Sequence, residues 1–198
     1  MLYRIVRRLF LLLAAPLFRF AVEGAEQVPQ SGPGIVVAPH RSWLDPACVS
    51  GACPRPVRFL ILDDVYRKRW GRWFYSAMGA IAVPRGEHGA AAALRSALRV
   101  LQRGEMVGVF PEGRIFTHAR PGALRPGAAL LALRSGAPII PMGIDGSDRA
   151  WPHGRRWPGP AAVRVRIGAP IVPPASGGEV EALLRRVELA FGELRSTP

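Results

Sequence analysis

The residues best suited to chemistry stand in the first quarter of the chain. In Pro39-His40-Arg41-Ser42-Trp43-Leu44-Asp45-Pro46, a histidine precedes an aspartate by five positions. A carboxylate bonded to one imidazole nitrogen fixes the tautomer and leaves the other nitrogen free to take a proton. Such a pair is a general base in want of a substrate. On one helix, residues five apart lie about 140° apart in rotation, so the two meet only if the backbone turns between them. The flanks offer that turn. Gly34-Ile35-Val36-Val37-Ala38 reads as a short buried strand, and Asp45-Pro46 as a helix start, with aspartate at the N-cap and proline first in the helix. Ser42 and Asp45 also fit a capping box, in which the aspartate serves the helix and the histidine is incidental. On this motif alone both readings stand.

Two more strand ends carry polar groups. Ala80-Ile81-Ala82-Val83 runs into Pro84-Arg85-Gly86, and the apolar run 106–110 runs into Pro111-Glu112-Gly113-Arg114. An arginine after a strand is ordinarily a solvated surface residue, and Pro-Glu-Gly is ordinarily a turn. Three such ends in succession mean more, because ligands of α/β sheets collect at the carboxyl ends of strands.

The elements that must position these groups follow from the apolar pattern. Strands are expected at 34–38, 57–61, 80–83, 106–110, 138–144 and 163–167, and helices at 63–78, 89–102, 127–134 and 179–194. The run 138–144 holds two prolines and is expected at an edge or a strand end. The alternation of strands with helices predicts an α/β fold: a single domain with a mixed, mostly parallel sheet of about six or seven strands flanked by helices. Aromatics in 63–78 read as core or membrane-interface packing, and 152–160 as a proline-rich loop.

The chain has 198 residues, 49% of them hydrophobic and 21% charged, the balance of a globular domain with a real core. Its net charge is +13, and Lys68 is the single lysine among 27 basic residues. That surface seeks anions: acidic headgroups, phosphorylated substrates or an acidic carrier. The arginines are scattered, without aromatic interleaving, so nucleic acid is not an expected partner. Cys48 and Cys53 are too few for a disulfide framework or a zinc site, and no metal is expected.

Residues 1–21 form a segment of their own ahead of a domain over 22–198. Their apolar run, 9–18, is half the length of a spanning helix, is interrupted by Pro16 and is flanked by Arg4, Arg7, Arg8 and Arg19. A signal peptide and a helix packed on the domain compete with the preferred reading, an amphipathic helix lying on a membrane of anionic lipids.

Taken together, these motifs resemble the glycerophospholipid acyltransferases of the lysophosphatidate (1-acylglycerol-3-phosphate) acyltransferase type. His40-Arg41-Ser42-Trp43-Leu44-Asp45 matches the family's first motif, 79–86 matches the second loosely, Phe110-Pro111-Glu112-Gly113-Arg114 the third and Ala137-Pro138-Ile139-Ile140-Pro141 the fourth. The resemblance covers roughly 20–170. It implies transfer of a fatty acyl group from an acyl thioester, acyl-CoA or acyl carrier protein, to a lyso-phospholipid hydroxyl, with no further cofactor. It also implies work at the cytoplasmic face of the cell membrane. His40 is then the base and Asp45 its orienting partner. Arg85 and Arg114 would grip a phosphate, with Glu112 and Gly113 beside them. The sequence departs from the family at Pro39, at Pro84, at Arg114 directly after Gly113, and at Pro126, where a lysine is frequent. These departures bear on the acceptor headgroup more than on acyl transfer. Another lyso-lipid acceptor, a thioesterase using the same His–Asp pair, and a non-catalytic lipid binder are the alternatives.

Overall fold

The computed structural model describes residues 2–67, 71–84, 87–113, 124–174 and 179–195. Among them run seven strands: β1 (Ala21–Glu23), β2 (Gly34–Val37), β3 (Val57–Leu62), β4 (Ile81–Val83), β5 (Met106–Val109), β6 (Ile139–Asp145) and β7 (Arg164–Ile167). They form one sheet in the order β1-β7-β6-β2-β5-β3-β4, parallel throughout except between β6 and β7. The helices are α1 (Leu2–Phe18), α2 (Asp45–Ala52), α3 (Asp63–Tyr66), α4 (Gly71–Ala77), α5 (Glu87–Gln102), α6 (Gly127–Ser135), α7 (Ser147–Ala150) and α8 (Val180–Glu193). The α/β architecture is the one the sequence predicts.

Both faces of the sheet are covered, so its central strands carry unbroken apolar runs. Along β2, Val36 points to one face, where it packs with Ala14 and Phe18 of α1 and Cys48 and Val49 of α2. Its neighbours Ile35 and Val37 point to the other, against Leu101 of α5, Leu131 of α6 and Leu183 of α8. This alternation places the β2 carboxyl end, and the loop to α2, between the two layers.

Four details differ from the sequence reading. β1 was not expected: three residues give no period to read, and the strand is fixed by register with β7 (Ala21↔Arg164) and by ion pairs from Glu23 to Arg164 and Arg166 at 3.2 and 3.0 Å. The helix expected over 63–78 is two short helices, α3 and α4, with 68–70 outside the described residues. β6 is neither an edge nor a strand end; it lies inside the sheet between β7 and β2. Pro141 is tolerated because its missing N–H falls in a gap of the ladder. On that side the Ile139↔Ile171 bridge has ended and the β7 pairing begins only at Met142. Finally, α2 begins one residue early, with Leu44 at the N-cap and Asp45 already in the first turn.

α1 runs continuously through Pro16 and is docked by its inner face. Tyr3, Ala14 and Phe18 are buried, and Phe10 meets Phe20 edge-on. The Arg7 guanidinium donates to the Ser50, Gly51 and Cys53 carbonyls at 3.0–3.1 Å. Those carbonyls lie at the end of α2, where helical partners run out, so Arg7 caps it. The outer face carries Ile5, Leu9, Leu12, Leu13 and Leu17, all exposed. Among the described residues no helix is long and apolar enough to cross a membrane.

Candidate active site

β2 ends at Val37, and the chain crosses its carboxyl edge before entering α2. That crossing brings His40 and Asp45 together: His40 Nδ1 donates to Asp45 Oδ2 at 3.0 Å. The same oxygen accepts the backbone N–H groups of Arg41 and Ser42, at 2.6 and 2.8 Å. The two readings of the motif are therefore not alternatives. Asp45 reaches back to the Ser42 N–H much as the acid of a capping box does, and in doing so presents the oxygen that holds the imidazole. Asp45 is fully buried, while the His40 side chain keeps a narrow exposure of 16%. Among the described residues, Nε2 takes no hydrogen bond. Ser42 is spent on structure: its hydroxyl donates to the Trp151 carbonyl at 2.7 Å and accepts the Leu44 N–H at 3.1 Å.

The ring itself is held by packing. Phe110, just past β5, stacks on His40 with centroids 4.2 Å apart and planes 19° from parallel. Phe59 of β3 lies parallel to Phe110 at 5.6 Å. Gly108 makes that arrangement possible, since a Cβ there would fall 2.5 Å from Phe59 Cε1. The sequence reading had no access to this stack, although Phe110 follows an apolar strand and precedes Pro111 in plain view.

Glu112 sits in the turn after β5 and is buried, with Oε2 lacking any partner. Burial pushes its carboxyl above the usual carboxylate range; its own backbone N–H and the nearby His40 ring and N–H pull it part of the way back. Gly113 closes this turn, its N–H donating to the Phe110 carbonyl at 3.0 Å with φ at +71°, a conformation natural to glycine. The structure thus gathers His40, Asp45, Glu112 and Gly113 at the carboxyl edges of two adjacent strands. Arg85 and Arg114 lie outside the described residues.

One cation the sequence reading passed over is Arg125. Its N–H donates to the Pro111 carbonyl at 2.8 Å, and its exposed side chain lies so close to Gly113 that a Cβ there would sit 3.0 Å from Nε. The signal was its place directly before Pro126-Gly127, which open α6.

Chemically, the site offers a proton acceptor of fixed tautomer, in a shielded but reachable position, with cationic and carboxyl groups alongside. Neither thiol is suited to attack. Burial pushes Cys48 well above its ordinary value, with Asp45 adding to the shift, and burial also raises Cys53. Among the described residues no group of three or more metal-ligating side chains clusters.

A family model described as Acyltransferase matches residues 19–145, from the lead-in to β1 to the end of β6. The chain is 26% identical to the chloroplastic 1-acyl-sn-glycerol-3-phosphate acyltransferase LPAT1 of Arabidopsis thaliana, over 70% of this chain and 39% of that protein. It is 25% identical to the 1-acyl-sn-glycerol-3-phosphate acyltransferase of Bacillus subtilis, over 63% of this chain and 62% of that protein. The matched part of the chain thus spans about two fifths to three fifths of these relatives. The crystal structure of the 1-acyl-sn-glycerophosphate (LPA) acyltransferase PlsC of Thermotoga maritima shares the fold, with a TM-score of 0.82 over 97% of this chain and 78% of that one at 24% identity. With a seven-stranded α/β sheet, a His–Asp pair at its carboxyl edge and a family match over most of the domain, this chain belongs to the Acyltransferase family.

Proposed function

We propose that the protein transfers a fatty acyl group from an acyl thioester, acyl-CoA or acyl carrier protein, to the hydroxyl of a lyso-phospholipid such as 1-acylglycerol-3-phosphate, as a step of phospholipid synthesis. The observation that carries this reading is the 3.0 Å contact between His40 Nδ1 and the buried Asp45 carboxylate, which leaves Nε2 without a hydrogen bond among the described residues of a ring that keeps some exposure. The names of the relatives above supply the acceptor.

In this mechanism the acceptor hydroxyl gives its proton to His40 Nε2 as its oxygen attacks the thioester carbonyl. Asp45 holds the ring and stabilises the imidazolium. The tetrahedral intermediate collapses by breaking the carbon–sulfur bond. The departing thiolate takes the proton back from Nε2, leaving an ester and a free thiol. Transfer is direct, since among the described residues the site places no free serine hydroxyl or reactive cysteine at the base. Arg85, Arg114 and Arg125 supply the positive charge that an acceptor phosphate requires, Glu112 and Gly113 shape the turn after β5, and no metal or further cofactor takes part. Residues 1–21 hold the domain, 22–198, on a membrane of anionic lipids by the outward leucines of α1, with the site at the cytoplasmic face.

The test is turnover of a labelled acyl-CoA by the purified protein with and without 1-acylglycerol-3-phosphate. His40→Ala should lower transfer at least about a hundredfold with the thermal melt unchanged, the least that loss of a general base costs. Transfer at the wild-type rate would remove His40 from the role. Release of free fatty acid regardless of acceptor would make the protein a thioesterase instead.

A further inference from the structure

The segment between β6 and β7 is not used by the mechanism, yet it is built with care and leaves unusual side chains in water. β6 runs parallel to β2, so the segment emerges at the edge that carries His40. It is tied down at several points. Trp151 Nε1 donates to the Arg155 carbonyl at 2.9 Å, the Arg155 N–H to the Pro152 carbonyl at 3.2 Å, and the Gly159 N–H to the Ala150 carbonyl at 2.8 Å. The hydroxyl of Ser42 joins the segment to the His40 turn. On this fixed frame, residues 153–157 (His153, Gly154, Arg155, Arg156 and Trp157) are all exposed. Trp157 is 69% exposed, with the Arg156 guanidinium 5.9 Å from its ring centre. Trp43, three residues after His40 and 51% exposed, stacks on His153 at 5.8 Å.

Water-facing indoles flanked by arginines are out of place on a surface meant for water alone. They suit the bilayer interface, where the ring sits among headgroups and the guanidinium meets phosphate. An acidic carrier protein would be served by the arginines without the bare indoles. The segment is also continuous with α1: the Val163 N–H donates to the Phe18 carbonyl at 2.8 Å, and the Ala21 N–H to the Val163 carbonyl at 3.0 Å. The carboxyl end of α1 therefore meets the end of the segment that carries residues 153–157. We propose that residues 153–157, with Trp43, form a second contact with an anionic bilayer, separate from α1, which seats the His40 cleft at the depth of the headgroups. The inference rests on the proposed function in two points, that the substrate is a lipid and that α1 lies on the bilayer.

Binding of the full chain to vesicles of phosphatidylcholine with about one-fifth phosphatidylglycerol tests it, by co-sedimentation. The comparison is with the triple variant Arg155→Gln, Arg156→Gln, Trp157→Ala. Affinity should fall roughly fivefold for each arginine removed, and more for the indole, with the thermal melt unchanged. On pure phosphatidylcholine the difference should shrink to the part owed to Trp157. Equal vesicle binding by both proteins would overturn the proposal. So would unchanged vesicle binding together with lost affinity for an acyl carrier protein, which would make the segment a protein-docking surface. Turnover with a water-soluble short-chain lyso-phosphatidate should be the same in both proteins. If it is absent from both, the acyl-transfer reading fails, while the vesicle comparison still decides this one.

Discussion

Asp45 and Glu112 are both buried carboxyls beside His40, and the chain treats them in opposite ways. One oxygen of each has no partner. Asp45 uses its other oxygen to gather three donors, from His40 Nδ1 and from the Arg41 and Ser42 backbone. It also lies in the first turn of α2, where free N–H groups and the helix dipole favour negative charge. Glu112 sits in a tight turn, where burial opposes its ionisation. The difference teaches that proximity to an imidazole does not define a role. The acid that orients the base is the one whose oxygen is held in place by donors on three sides.

Breaking the first member should give the largest effect. Asp45→Asn keeps the shape but sets an amide where the Nδ1 proton needs an acceptor. The ring then loses its tautomer and its support for the imidazolium, and kcat should fall about a thousandfold to ten-thousandfold with KM little changed. Asp45→Ala would go further and cost roughly 2 kcal/mol of stability, because the Arg41 and Ser42 N–H groups lose their acceptor. Steady-state kinetics on the first variant and urea unfolding of the second check both. A Asp45→Asn enzyme within tenfold of wild type would make the carboxylate a fold element only.

The same contrast explains what the sequence could and could not convey. The His40–Asp45 pair was legible because its parts sit five residues apart, and the strand and helix around it fix the turn locally. The sheet was legible because the core strands are continuous apolar runs: Gly34–Val37, Met106–Val109 and Ile139–Asp145. The interior place of β6 was not, since the two prolines speak against it and only the pairing with β7 shows where the missing N–H falls. β1 escaped notice because Val22 alone makes no pattern. The stack on His40 depends on Phe59, Gly108 and Phe110 from two strands. Arg125 reaches Gly113 across twelve residues of chain, and no local period encodes such a contact.

A second break is aimed at the turn that carries Glu112. Gly113→Ala forces a side chain into the left-handed region, at a cost of about 1–2 kcal/mol. It also sets a methyl against the Arg125 side chain, which is flexible and exposed enough to move aside. Stability by urea unfolding should drop by that amount. If Arg125 serves the acceptor phosphate, KM for 1-acylglycerol-3-phosphate should rise while KM for acyl-CoA stays put. A rise in both would place Arg125 elsewhere than beside the acceptor.

The smallest effect sharpens the comparison most, because it reads the charge of Glu112 directly. Its folded pKa is raised by burial, so between the ordinary carboxylate value and the raised one the folded protein holds a proton that the unfolded chain has released. Over that interval stability must fall as pH rises. Glu112→Gln keeps the size and stays neutral, so its stability lacks that fall. Unfolding in urea from about pH 4 to about pH 7 should start with the two proteins close together and end with the glutamine variant ahead. Curves that stay parallel would mean that Oε2 finds a donor in solution and that Glu112 is kept as an anion. The two carboxyls would then form one negative wall beside His40. Its imidazolium would owe its stability to both acids, and Glu112→Gln would lower kcat as well.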